Sequence, residues 1–105
     1  MPKLVVLYPP PTDVVAFERA YAEEHTPLVR AQLAGVRRLD AGRVVRGELG
    51  IPPYHWMAEL HFDSLEALTA ATSSAGGQRL AGHARQISTG GAPLMLVVED
   101  LAAVS

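Results

Sequence analysis

The sequence predicts a single α+β domain of the ferredoxin-like class, with the element order strand, helix, strand, strand, helix, strand (βαββαβ). Three observations predict it. With 105 residues, 49% of them apolar, the chain can form one core but not two, so residues 1–105 are assigned to one domain. Strand-like apolar runs alternate with helix-like periodicity along the chain. The first and last strands are apolar on both faces, which indicates a sheet covered on both sides.

The first strand and the first helix have clear sequence signals. Residues 4–8 form a short apolar run that stops at three consecutive prolines, which cannot extend a hydrogen-bonded ladder. Asp13 follows and is a favoured N-cap residue, so we expect the helix to begin there. Phe17, Tyr21 and His25 then recur at a spacing of four residues. This spacing places three rings on one helical stripe, with His25 at its polar rim.

The residues after His25 predict a break or a kink in this helix. Pro27 has no backbone donor and disfavours the helical conformation at Thr26. We therefore expect Thr26 to cap a second helical segment that has Pro27 at its first position and continues to about Leu33, before Gly35. His25 would then end the first segment, where the helix dipole mildly favours the charged form of its ring, provided that the ring is not deeply buried.

The remaining elements follow from shorter patterns. Residues 36–47 and 54–62 predict two strands of one hairpin with a long connection. Ser64 begins a second helix that runs to about residue 73. A further helical stretch covers residues 78–87, and residues 92–99 form the last strand.

The outer strands imply that something covers the second face of the sheet. Two helices can cover only one face of a four-stranded sheet. Residues 4–7 and 94–98 are apolar on both faces, and no other segment remains to bury the second one. A second copy packed sheet against sheet is the economical solution, so we expect a homodimer formed through the sheet faces. Burial of that face by loops is the alternative.

Composition narrows the partners and the chemistry. The formal net charge of −2 does not favour a nucleic acid partner. The chain has no cysteine, which excludes disulfides, thiolate metal sites and a cysteine nucleophile. No segment approaches the roughly 18 apolar residues of a membrane span, and no signal-peptide pattern is visible. We therefore expect a cytoplasmic protein without a membrane partner.

Candidate catalytic groups lie in the first half of the chain. His25 is suited to act as an acid, a base or a hydrogen-bond donor. The hydroxyls of Tyr8 and Tyr21 could orient a small polar ligand or donate to an oxygen. The alternative interpretation is structural: His25 closes the end of a helix, and the two tyrosines are core residues with their hydroxyls at the rim.

The third strand supplies further candidates. Strict alternation would place His55, Met57, Glu59 and His61 on one face and the apolar residues, Trp56 among them, on the other. Glu59 and His61 point the same way and could share a proton or a metal, or could simply pair or be solvated. No spacing in the chain matches a closed metal site, so we predict no metal. The cofactor stays open, including a haem, for which one axial histidine is enough.

The opening residues resemble those of a known family. The first strand followed by Tyr8-Pro9, Asp13, Phe17-Glu18, Tyr21, His25 and Pro27-Leu28 resembles the opening motif of the EthD family, whose members are similar in length. The resemblance implies a dimeric α+β barrel, in which two ferredoxin-like protomers pack their sheets together. Many members carry an acidic residue and an aromatic shortly before the last strand. Residues 83–87 of this chain read His-Ala-Arg-Gln-Ile instead, which puts in doubt any activity that needs a carboxylate there.

The resemblance also implies a class of function. It implies a protein that binds a small, largely apolar, aromatic or ether-bearing molecule between sheet and helices. The expected chemistry is of the monooxygenase (oxidoreductase) type or the isomerase or decarboxylase type, without a fixed metal. The expected proton-transfer group is His25, assisted by Tyr8, Tyr21 and His61, and the expected ligand contacts are Phe17, Trp56, Glu59 and His61. The alternative is a non-catalytic binding protein, or an accessory protein of a partner oxygenase.

Overall fold

The structure, a computed structural model, describes residues 1–101 and has the ferredoxin-like fold. Four strands form one antiparallel sheet in the order β2-β3-β1-β4, so the first and third strands are central. The strands are β1 (Lys3–Tyr8), β2 (Arg38–Arg43), β3 (Trp56–His61) and β4 (Leu94–Val98). The helices are α1 (Val14–Ala20), a π-helical turn (Tyr21–His25), α2 (Thr26–Gln32), α3 (Leu65–Ser73) and α4 (Ala75–Ile87).

The helices cover one face of the sheet and form the core there. Alternate strand residues such as Val6, Ala58 and Leu60 face the helices and are buried. The helices contribute Phe17, Tyr21, Val29, Leu33, Leu68, Leu80 and Ala84 to the same cluster. Within residues 1–101 no helix is long and apolar enough to cross a bilayer.

The other face of the sheet, called the open face here, carries the remaining strand residues. The register places Leu96, Val5, Glu59 and Asp40 in one row across β4, β1, β3 and β2. The rows therefore change from apolar on the β4 side to charged on the β2 side.

The helix does not break after His25, and a π-helical turn lies where a break or a kink was predicted. Thr26 has helical dihedral angles (φ −58°, ψ −46°), and its N–H donates to the carbonyl of Tyr21, five residues earlier. A π-helical turn is wider than an α-helical turn, so the chain can pass Pro27 without the clash that an α-helical turn would impose. His25 is therefore not at a helix end, and Pro27 lies in the first turn of α2.

The last helix, α4, begins earlier than expected, at Ala75 rather than at residue 78. Ser74 caps α4, because its hydroxyl accepts a hydrogen bond from the N–H of Gly77 at 3.0 Å. A Cβ at Gly76 would overlap the carbonyl oxygen of Gln32 in α2. Glycine at this position therefore allows α2 and α4 to approach closely. Because glycine disfavours the interior of a helix, the sequence pattern did not predict that α4 includes this residue.

Candidate functional site

A cavity of about 280 Å³ lies between the helix-covered face of the sheet and helices α2 and α4. Its walls are mainly aliphatic, and none of the residues that line it is Asp, Glu, Lys or Arg. Tyr8, His25 and Thr72 contribute the polar side chains. The aliphatic walls include Val6, Val29, Leu60, Leu80, Ala84 and Met95.

His25 is buried in this cavity wall. It is 7% exposed, and its ring lies beside that of His83 with centroids 5.1 Å apart and planes within 9° of parallel. Its Nδ1 lies 2.9 Å from Nδ1 of His83. Burial, reinforced by the neighbouring His83, lowers the pKa of His25 to about 4. Burial therefore favours the neutral ring near pH 7, and the condition set for the charged form, a ring that is not deeply buried, is not met.

His83 is the site residue that the sequence interpretation missed. It lies in α4, with its side chain 14% exposed, and its Nε2 is 3.7 Å from Oε1 of Glu24. Its position in the sequence could have identified it, because His83 is three residues after the buried Leu80 and directly before the buried Ala84. A histidine there lies beside the buried stripe of an amphipathic helix.

An aromatic cluster packs against His25 through the ring of Tyr21. The Tyr21 ring lies 5.2 Å from the His25 ring and 5.2 Å from that of Trp56, centroid to centroid. Phe17 contacts Tyr8 at 5.1 Å and Trp56 at 6.0 Å. Tyr8 alone of these four aromatics lines the cavity. The contribution of Phe17, Tyr21 and Trp56 to the site is therefore through packing in this structure, and their predicted roles as catalytic or ligand-binding residues stay predictions.

Both tyrosines of the cluster stay protonated at neutral pH. Burial raises the pKa of Tyr21 to about 12 and the pKa of Tyr8 further still. Tyr8 therefore presents a neutral hydroxyl beside the cavity, which can donate or accept a hydrogen bond.

Glu59 and His61 lie on the open face, with the sheet between them and the cavity. Oε2 of Glu59 forms an ion pair with Nζ of Lys3 at 2.8 Å, and Nε2 of His61 lies 3.3 Å from a carboxylate oxygen of Asp40. The structure therefore does not bring His61 to His25, so the optional assistance of His61 in proton transfer has no support from this geometry. The predicted ligand-binding role of Glu59 and His61 stays a prediction.

The placement of His55 with these residues was wrong. His55 precedes β3, where strict alternation does not apply, and its side chain turns to the helical side of the sheet. There its Nε2 lies 2.8 Å from Oε2 of Glu18, which also binds Arg43 through both oxygens. The hydrogen bond from Arg43 chiefly, with that from His55, lowers the pKa of Glu18 to about 2.

The structure gives no close group of metal ligands. Over residues 1–101, no three His, Asp or Glu side chains come together in a way that could hold a metal ion. The pair of His25 and His83 is held by a mutual hydrogen bond, which uses one nitrogen of each ring.

The comparison with known protein families agrees with this architecture. A family model described as the EthD domain matches residues 9–86, which is most of the chain. The chain belongs to the EthD family. The matched range includes His25, His83 and Tyr21, and it ends before β4. In this EthD protein, both members of the histidine pair therefore lie within the range that the domain model matches.

Relatives cover this EthD domain almost completely. An uncharacterized 11.0 kDa protein of the thcB–thcC intergenic region of Rhodococcus erythropolis is 29% identical over 100 residues, 95% of this chain and 96% of that protein. An EthD-family crystal structure from Bacillus halodurans is 29% identical with a TM-score of 0.86, covering 96% of this chain and 99% of that one. A dimeric ferredoxin-like protein of unknown function from Jannaschia has a TM-score of 0.68 at 18% identity, covering 95% and 100%. The ferredoxin-like fold is thus shared with dimeric proteins.

Proposed function

We propose that this EthD protein is an enzyme that binds a small, neutral, largely apolar or aromatic molecule in the cavity and exchanges a proton with it through His25. One observation carries the proposal: an apolar cavity of about 280 Å³ has a neutral histidine in its wall. A buried neutral imidazole can accept a proton at one nitrogen while the other nitrogen is hydrogen-bonded.

The charge of the cavity favours some of the expected reactions over others. A substrate carboxylate would be buried without a cationic side chain among the lining residues, which costs several kcal/mol. A neutral phenol, enol or ketone meets no such penalty. The cavity therefore supports proton abstraction of the kind that begins an oxygenation or an isomerisation, and it supports decarboxylation of a carboxylate substrate less well.

The hydroxyl of Tyr8 complements His25 in this proposal. Tyr8 lines the same cavity and remains protonated, so it can donate a hydrogen bond to a ligand oxygen that gains charge as the proton leaves. Tyr21, Phe17 and Trp56 would hold both rings in place through the aromatic cluster.

We further propose that a second copy of the chain covers the open face. Its apolar side carries Leu94, Leu96 and Met57, each more than a third exposed, in line with the apolar Val5 and Leu7 of β1. A similar fold occurs in a protein described as dimeric. A two-fold pair buries this face with one self-complementary surface. Sedimentation equilibrium at micromolar concentration should show a dimer, and a monomer there would contradict this part of the proposal.

Binding can be tested with a matched pair of probes. We expect 1-naphthol to bind and 1-naphthoate, which has a similar shape but a negative charge, to bind at least about tenfold more weakly. The fluorescence of either probe reports its binding. Ala81→Phe places a ring at the cavity wall and should weaken 1-naphthol binding, whereas Ala70→Phe on the exposed side of α3 should not. Equal binding to both variants would place the probe elsewhere.

Catalysis is tested separately from binding. In D₂O the bound phenol should take up deuterium at the ring carbons ortho and para to its hydroxyl. Such a carbon of the phenolate gains a deuteron, and the resulting dienone then loses the original C–H proton from the same carbon to restore the aromatic ring. His25→Ala should slow this uptake by about a hundredfold while the protein stays folded. Tight binding with no acceleration over free 1-naphthol would instead favour the non-catalytic binding protein.

A further inference from the structure

Three side chains form a line from the cavity to the protein surface. His25 lines the cavity, His83 lies 2.9 Å from it between Nδ1 atoms, and Glu24 lies 3.7 Å from Nε2 of His83. Exposure rises along this line, from 7% for His25 to 14% for the His83 side chain and 64% for that of Glu24. The line therefore connects a buried polar group to solvent through groups that can all carry protons.

The proton positions in this line follow from the chemistry of the groups. Only one proton fits between two Nδ1 atoms at this distance, so one ring donates and the other accepts. An ionised carboxylate only accepts, so Glu24 favours a proton on Nε2 of His83. Neutral His83 then has an acceptor at Nδ1, and His25 must donate from its own Nδ1. This arrangement leaves Nε2 of His25 with a free lone pair.

We infer that His83 and Glu24 are positioning residues that set the tautomer of His25 and move a proton between the cavity and solvent. This inference rests on the proposed function, because a bound ligand supplies the proton. The ligand O–H or C–H bond breaks, its electron pair stays on the ligand, and the proton binds Nε2 of His25. The Nδ1 proton of His25 passes to His83. The resulting imidazolium of His83 pairs with Glu24 until its Nε2 proton leaves to water.

The surroundings explain why a relay is needed. An imidazolium at His25 would be buried among aliphatic side chains, which is costly, whereas the same charge on His83 faces a carboxylate. The other titratable groups against His25 are Tyr21, at 5.2 Å between ring centroids, and Tyr8 across the cavity wall. Burial keeps both of them uncharged. Moving the proton outward leaves His25 neutral but protonated at Nε2. The relay resets in reverse: Nε2 of His83 takes a proton from water, Nδ1 of His83 returns its proton to Nδ1 of His25, and Nε2 of His25 gives its proton back to the ligand.

The tautomers can be observed directly in the ligand-free protein. In ¹⁵N-labelled protein near neutral pH, long-range imidazole NMR spectra should show His25 protonated at Nδ1 and His83 protonated at Nε2, with the Nδ1 proton of His25 protected from solvent exchange. Protons on Nε2 of both rings, with none shared between them, would overturn the inference.

Two neighbouring carboxylates provide the matched variants. Glu23 and Glu24 lie in the same π-helical turn with side chains 66% and 64% exposed, but Glu23 pairs with Arg19 rather than with His83. Glu24→Gln should slow the solvent exchange of the shared proton by about threefold or more, since an exposed ion pair has a modest effect. Glu23→Gln should leave the rate unchanged. Equal rates in the two variants would contradict the role of Glu24.

His83→Phe separates this inference from the proposed function. The variant keeps a flat ring beside that of His25 but removes the hydrogen bond between them. We therefore expect 1-naphthol to bind as before while its deuterium uptake falls about tenfold. Unchanged uptake would overturn the relay and leave the proposed function standing. Failure of the unmodified protein to bind or exchange 1-naphthol, with the shared proton present in the spectra, would count against the proposed function and leave the tautomer assignment standing.

Discussion

The two faces of the sheet use their polar residues in opposite ways. On the helix-covered face, His25 lies in an aliphatic wall and hydrogen-bonds His83, and none of the described residues that line the cavity is Asp, Glu, Lys or Arg. On the open face, Lys3, Glu59 and Asp40 carry charges within a network of ion pairs, beside an apolar surface on β4. In the two proposals made above, the helix-covered face would exclude charge from a small ligand, whereas the open face would match charge and apolar area against a second copy of the chain.

The largest expected effect concerns the helices that close the cavity. Gly76→Ala would force a Cβ against the carbonyl of Gln32, so α2 and α4 must separate, and we expect the free energy of unfolding to fall by about 3 kcal/mol. Gly82→Ala is the control in the same helix, because a Cβ there meets nothing within 4 Å. It should raise stability by about 0.5–1 kcal/mol. Urea unfolding measures both, and similar values for the two variants would contradict the close approach.

A charge on the apolar side of the open face should break the proposed dimer. Leu96→Glu places a carboxylate in line with Val5, and we expect the dimer dissociation constant to rise about a hundredfold. Val15→Glu is the control, since Val15 is 78% exposed on α1, away from the sheet. Sedimentation equilibrium of both variants tests the comparison. Equal dissociation constants would mean that the open face is not the interface.

The smallest expected effect is a pH dependence that originates at the helix-covered face. The pKa of His25 is about 4 when folded and 6.5 when unfolded, so the unfolded chain binds more protons between these values. The contribution of His25 to the free energy of unfolding is therefore fully present above about pH 6.5. It falls as the pH approaches 4, by about 1–2 kcal/mol between about pH 7.5 and about pH 5. His25→Phe should lack this loss in urea unfolding at both pH values. An identical loss in the two proteins would assign the pH dependence to other groups.

The element order was predictable because each strand and helix has its own local signal. The prediction that Asp13 and Ser64 begin helices as N-cap residues is also confirmed, since each side chain accepts a hydrogen bond from the backbone N–H three residues later. Gly76 and Gly77 were less informative. Their helical conformation depends on Ser74 and on the backbone of neighbouring segments, and a single-sequence pattern does not record that contact.

The candidate site was predictable only in part, because its members come from distant segments. His25 and Tyr8 were identified from their own surroundings, and both line the cavity. His83 follows His25 by 58 residues, and their hydrogen bond depends on how α4 packs against the π-helical turn. His55 was misplaced because the alternation rule was extended beyond the first residue of β3.

The π-helical turn has a consequence for the spacing of the whole buried stripe. Phe17, Tyr21, His25, Val29 and Leu33 are all buried and follow one another at intervals of four residues. In a continuous α-helix each interval of four advances by about 40°, so the last of the five would lie about 160° from the first. One extra residue in a helical turn reduces that angle by about 100°. The turn thus restores the rotational phase of the stripe, so that side chains before and after His25 can bury themselves against the same sheet.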